Sequence, residues 1–249
     1  MLVLFITDLH TSLKDEYPHD IDLRQNFLDV LRVTKRYNYD FLVLGGDLCF
    51  KDGDSQIYRW QKSHLDRTNK PYFIIPGNHD DQGLLNEIFP EFILTGDDEI
   101  YYKQSLGGKT MLFLDTARGR TSVKQQDWLR EELDKLRNQR VTLFMHHPPM
   151  LMQVPHMDKN YALQDRNELM AILKETANPK DVFCGHYHVC KSGMEDQISV
   201  HITPSLFFQI DQYEKEFAVD HLNIGYRLIR IENHNVLSGV HYLTGNRKA

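Results

Sequence analysis

Seven residues of this sequence carry oxygen or nitrogen donors in patterns that suit metal coordination. Asp8 and His10 stand two apart, Asp47 follows Gly45-Gly46, and Asn78 follows Pro76-Gly77. His146 belongs to a His-His pair, and His186 and His188 again stand two apart. A mixture of carboxylate, carboxamide and imidazole with no thiolate suits Mn, Fe, Zn or Co better than a soft metal. Seven donors exceed what one ion needs. Two ions sharing one carboxylate fit the count, with Asp47 on its glycine turn as the shared ligand. Such a pair, about 3.5–4 Å apart, can hold a hydroxide between its members and clamp a phosphoryl group for in-line attack. Each fragment alone also has a plainer reading: a strand-end Asp can cap a helix, and Asn78-His79 can be a polar turn. Four His at two strand ends, with two Asp and an Asn at three others, are much harder to explain as packing.

The elements that position these donors alternate. Leu2–Ile6, Phe41–Leu44 and Tyr72–Ile75 are short, apolar and β-branched or aromatic, and read as buried strands. Between them, residues 22–36 and 55–66 carry apolar stripes at helical spacing, with Leu23, Phe27, Val30 and Leu31 on the first. Asp80-Asp81 is placed to cap a further helix carrying Leu84, Leu85 and Ile88. Strand and helix alternation predicts a parallel sheet with crossovers, whose ligands gather at the carboxyl ends of the strands. An extended backbone after Ile6 would point Asp8 and His10 to one side. Further strands are expected at 100–102, 111–114, 141–145 and 182–184, with a hairpin turn at Gly107-Gly108 and helices at 125–137 and 165–176. The tail reads as β at 200–202, 206–208, 226–229 and 239–242. No repeat, low-complexity segment or linker interrupts the chain, so one domain over residues 1–249 is the expectation.

The 249 residues carry a formal net charge of -6, with 41% hydrophobic and 26% charged residues, an ordinary globular composition. A protein working on long nucleic acid usually shows a basic balance or stripe, so nucleic acid is not the expected partner. The three Cys, at 49, 184 and 190, form no CxxC pair and point to a reducing compartment, with the cytoplasm expected. The apolar start meets Asp8 too soon for a signal peptide, and no stretch approaches the ~20 apolar residues of a membrane span.

Taken in order, Asp-x-His, Gly-Asp, Gly-Asn-His-Asp, His-His and Gly-His-x-His over residues 3 to about 190 resemble the signature of the calcineurin-like metallophosphoesterases. Met157-Asp158, Thr203-Pro204-Ser205 and Gly225-Tyr226-Arg227 are similar to the bacterial class III cyclic-nucleotide phosphodiesterases, the Icc or CpdA group. The resemblance implies an α/β fold, a four-layer α/β/β/α sandwich of two mixed sheets flanked by helices. It implies one metal held by Asp8, His10 and His188, another by Asn78, His146 and His186, and Asp47 bridging them. Fe and Mn are the favoured metals. His79 is implied as the catalytic group, binding phosphate or protonating the leaving oxygen, with Asn78 at the substrate and His147 either behind the metal ligands or in contact with the substrate. The chain departs from its relatives at Cys49-Phe50, where they often carry an acidic residue. The implied substrate is a small phosphodiester, with 3′,5′-cyclic AMP first. Alternatives are a glycerophosphodiesterase, a nuclease of the same fold, or a non-catalytic assembly subunit. Oligomeric state is left open, a homodimer among the options.

Overall fold

Strands with no polar face must be covered on both sides, and Leu2–Ile6 (β1), apolar throughout, is covered on both. In the computed structural model, which describes residues 1–91 and 98–248, β1 lies inside a five-stranded sheet. Its parallel neighbours are Phe41–Leu44 (β2) and then Tyr72–Ile74 (β3). The helices Leu23–Thr34 (α1), Ser55–Asp66 (α2) and Gln82–Ile88 (α3) connect or follow these strands. Each begins on an Asp: Asp22, Asp54 and Asp81 accept backbone N–H bonds from their first turns.

The second sheet has six strands. Tyr102–Leu106 (β4) and Lys109–Phe113 (β5) form the hairpin expected at Gly107-Gly108. Val141–Phe144 (β6) and Lys180–Cys184 (β7) continue it in parallel, with α4 (Val123–Lys135), α5 (Pro155–Asn160) and α6 (Arg166–Lys174) between strands. Lys191–Glu195 (β8) and Ile198–Ile202 (β9) complete it. A two-stranded ribbon, Gln209–Ile210 (β10) and Val219–His221 (β11), projects beyond. Ile224–Ile231 (β12) and Val236–Leu243 (β13) then return to the first sheet beside β1.

Alternation along the strands sorts side chains into three cores, which separate four layers. Leu4, Ile6, Leu42 and Leu44 pack on Phe27 and Val30 of α1 and Ile57 of α2. Leu143, Met145 and Val182 pack on Leu129 of α4 and Leu169 of α6. Val3, Phe5 and Val43 meet Phe113, Phe144 and Phe183 between the sheets, where the Phe144 ring centroid lies 5.1–5.8 Å from those of Phe113, Phe5 and Phe183. This is the α/β/β/α sandwich. Arg227 of β12 ties the sheets together, donating to Thr203 Oγ1 (2.9 Å) and the Ile202 carbonyl (2.9 Å) at the end of β9.

Two expectations change. Residues 206–208 are a loop rather than a strand. Their backbone is occupied locally: Phe207 N–H donates to Ser205 Oγ (2.7 Å), and Gln209 bonds both ends of Ser205. Leu206 fills the core beneath α1, and Phe207 and Phe208 line a cavity instead of a sheet face. Tyr102, not Ile100, opens β4, because Ile100 N–H is taken by the Asp115 carboxylate (2.8 Å).

Asp80 does not cap α3; Asp81 does. The Asp80 carboxylate accepts from Gly77 N–H (2.9 Å), Leu48 N–H (3.1 Å) and Tyr58 Oη (2.9 Å), clasping the loops after β2 and β3 together. Burial and the nearby Asp47 charge push its pKa up to about 6 against those bonds. Asp80→Ala should therefore lower the stability of the metal-free protein by about 2–3 kcal/mol, through donors left without an acceptor. Urea unfolding checks this; a midpoint unchanged from wild type would show that the clasp holds nothing.

Candidate metal centre

The parallel strands of both sheets run so that their carboxyl ends meet, and every donor singled out from the sequence lies on a loop leaving such an end. The loops are stitched by backbone bonds: Asp8 N–H to the Gly46 carbonyl (3.0 Å), His10 N–H to Asp47 (2.9 Å), Gly185 N–H to His146 (3.0 Å). Two glycines permit this closeness. A Cβ on Gly77 would overlap the backbone nitrogen and carboxylate of Asp47, and one on Gly185 would overlap Thr7 Oγ1 and Asp8 Oδ2.

Asp8 and His10 do converge, but not along an extended backbone. Asp8 (φ 52°), His10 (φ 44°), Asp47 (φ 51°), His186 (φ 66°) and His188 (φ 50°) are all left-handed. Non-glycine residues rarely adopt this conformation, and where they do it is held by surrounding structure and concentrated at functional sites. Alternating left-handed residues turn both side chains of each x-separated pair into the same space.

The donor atoms of Asp8, His10 and His188 lie within 4.8 Å of one another, and so do those of Asp8, Asp47 and His146. Asp47 Oδ2 is 3.3 Å from His146 Nε2 and 3.7 Å from His10 Nε2, while its Oδ1 accepts His79 N–H (2.9 Å). Asp8 Oδ1 is 3.3 Å from His188 Nε2, and Asp8 Oδ2 accepts Thr7 Oγ1 (2.9 Å) and His186 N–H (3.0 Å). Asn78 is exposed and lines the cavity in front of this cluster together with His10, Asp47, His79, His186 and His188. His147 is 3% exposed and does not line it. Thr116 Oγ1 holds its Nδ1 (3.0 Å), and its ring lies 3.9 Å from that of His186.

Four imidazoles are oriented by backbone carbonyls. His146 Nδ1 donates to Gly45 (2.8 Å), His188 Nδ1 to Phe208 (3.1 Å), His186 Nε2 to Tyr161 (3.0 Å) and His79 Nδ1 to Lys51 (2.6 Å). A carbonyl only accepts, so each of these nitrogens carries a proton and the opposite nitrogen is turned inward. Metal-ligating imidazoles are typically fixed in this way. No side-chain pattern in the sequence signals these carbonyls.

The charge balance fits cations. Burial alone would raise the pKa values of Asp8 and Asp47, yet the surrounding His hold both below the ordinary carboxylate value. Burial alone would lower His146, yet the Asp47 and Asp8 charges raise it to about 9, so in the protein by itself a proton balances the buried carboxylates there. Burial takes His10 down to about 3 and His186 to about 4, keeping them neutral. His146 Nε2 is buried and makes no hydrogen bond, although the Asp47 and Asp8 oxygens lie 3.3 and 3.9 Å away. His10 Nε2 and His188 Nε2 are 3.0 Å apart. That is the separation of two neighbouring ligands on one ion whose bonds, about 2.0–2.1 Å long, meet near a right angle. The donor set therefore fits transition-metal ions.

Comparison with known proteins agrees with this chemistry. The family model of calcineurin-like phosphoesterases matches residues 1–190. A probable cyclic nucleotide phosphodiesterase from Fibrobacter succinogenes is 34% identical over 224 residues, covering 90% of this chain and 87% of the relative. A probable glycerophosphodiester phosphodiesterase from Arcobacter nitrofigilis is 24% identical, covering 80% and 76%. Among solved structures, a dimetal phosphatase from Danio rerio superposes with a TM-score of 0.67 at 14% identity, over 100% of this chain and 96% of the other, and shares the fold. On its motifs, its sandwich and the extent of the match, this chain belongs to the calcineurin-like phosphoesterase family.

Proposed function

We propose that this protein is a dimetal phosphodiesterase acting on small phosphodiesters, 3′,5′-cyclic nucleotides first among them. The observation that carries the reading is the convergence of Asp8, His10, Asp47, His146 and His188 in overlapping donor groups, with the ring nitrogens of His146 and His188 turned inward by backbone carbonyls. Asp8, His10 and His188 would hold one ion, and Asn78, His146 and His186 the other. Asp47 Oδ2, which lies between His10 and His146, would serve both. Mn, Fe, Zn or Co suits the donors, with Fe and Mn favoured; such a pair, when bound, acidifies water and offsets charge on the phosphoryl oxygens.

The chain's own residues do the rest. His79 stands on the turn that carries Asn78. Its Nδ1–H donates to the Lys51 carbonyl, so Nε2 is directed away from that carbonyl; as the doubly protonated imidazolium the ring can give its Nε2 proton to the leaving oxygen, returning to neutral imidazole, or donate it to a phosphoryl oxygen. His147 packs on His186 and Thr116 and steadies the His186 ring. The cavity, about 290 Å³, is close to the size of small-ligand sites. The similarity to the Fibrobacter protein favours cyclic nucleotides, and that to the Arcobacter protein keeps glycerophosphodiesters as the second reading. No helix among the described residues is long and apolar enough to cross a membrane. The three free thiols favour a reducing compartment such as the cytoplasm.

Asp47→Ala should abolish turnover and bring manganese content after loading to one ion or fewer, read by elemental analysis. A metal-replete, active variant would remove Asp47 from the centre.

His79→Ala should keep its manganese while turnover of 3′,5′-cyclic AMP falls ~10²–10⁴-fold. The loss should be much smaller for bis(4-nitrophenyl) phosphate, whose nitrophenolate leaves without a proton. Equal losses on both would mean that His79 grips the phosphoryl group instead of protonating the leaving oxygen. Wild-type rates on both would exclude it from the mechanism.

A further inference from the structure

The cavity walls that coordination chemistry does not use are aromatic. Phe207 and Phe208, on the loop after β9, have ring centroids 4.1 Å apart, and the Phe208 ring lies 5.3 Å from that of His188. Phe217, in the turn of the β10–β11 ribbon, lies 5.7 Å beyond Phe208. A series of rings thus runs from the ligand cluster to solvent. At its outer end Phe217 is 51% exposed, and Tyr161 at the same mouth is 52% exposed. His156 stands between them, 5.8 Å from the first ring and 5.7 Å from the second. Phe208 and His156 meet Phe217 at 69° and 60°, so neither stacks on it in parallel. A phenyl ring half in water contributes little to the fold, and an exposed aromatic cluster beside a cavity marks a binding surface.

We infer that Phe217, backed by Phe208, is the face on which a nucleobase of the substrate stacks. The site thereby selects phosphodiesters that carry a heteroaromatic base over those that carry glycerol. This rests on the phosphodiesterase reading, which places the phosphoryl group at the His and Asp cluster. A cyclic nucleotide carries its base one sugar ring away from the phosphorus, and Phe217 is set off from His188 by one intervening aromatic ring. Stacking on an aromatic side chain needs no hydrogen-bond code and accepts any base. A glycerol or ethanolamine group has no π face and would leave Phe208 and Phe217 wet. The plainer alternative is that Phe217 only pins the ribbon on Phe208.

Phe217→Ala separates the two. The contact is remote from the reacting bonds, so its loss should raise KM for 3′,5′-cyclic AMP about tenfold with kcat little changed. AMP, the expected product, should bind more weakly by a similar factor in calorimetric titration. Turnover of glycerophosphoethanolamine should stay within twofold of wild type, and Phe217→Trp should restore cyclic AMP. Equal losses on both substrates, or no loss on either together with unchanged AMP binding, would overturn the inference. A wild-type enzyme that cleaves glycerophosphoethanolamine but no cyclic nucleotide would overturn it too, while leaving the phosphodiesterase reading intact. Manganese-loaded protein inert toward every phosphodiester would overturn both.

Discussion

Asp8 and Asp47 place two carboxylates in a space from which water is nearly excluded, and a buried charge is tolerated only when it is compensated. Their hydrogen bonds come from Thr7, His79 N–H and His186 N–H, and none of these donors brings a full positive charge. The remaining compensation must be cationic. In the protein alone it falls to His146, whose pKa the two carboxylates raise; bound cations would supply it in its place. The imidazoles turned inward, the close approach of Gly77 and Gly185 and the left-handed residues all follow from bringing those two carboxylates and their partners into one small volume.

The fold meets that requirement by aiming two sheets at the same end. Continuously apolar strands such as β1 and β2 are covered on both faces, which fixes their register without help from the loops. The loops can then carry strained, polar residues, because the strands and the Asp80 clasp hold them. The inter-sheet Phe cluster packs up to the loop that carries Asp47, where a Cβ on Gly45 would overlap the Phe5 ring.

Much of this was legible in the sequence, for identifiable reasons. Short apolar, β-branched or aromatic strands and helices with an apolar stripe announce themselves through side-chain type, and the donors stand at the strand ends. What the sequence did not show depends on backbone groups. The carbonyls of Gly45, Tyr161 and Phe208 that orient three imidazoles have no side-chain signature. The left-handed turns at Asp8 and His10 have no glycine to mark them, and Asp and His, though enriched at positive φ, adopt it at only a minority of positions. Leu206-Phe207-Phe208 has the composition of a strand, yet Leu206 fills the core while Phe207 and Phe208 line the cavity. Ser205 and Gln209, whose side chains take over the local backbone bonds, were the available clue. The helix α5, which leads into Tyr161, is too short for an apolar stripe to reveal.

The central claim is that one carboxylate, Asp47, joins two ions held by separate ligand sets. Anomalous diffraction at the manganese edge from crystals grown with manganese tests it directly. The account predicts two peaks, one bounded by Asp8, His10 and His188 and one by Asn78, His146 and His186, both within bonding distance of Asp47. A single peak at saturating manganese, or two peaks of which only one touches Asp47, would contradict it.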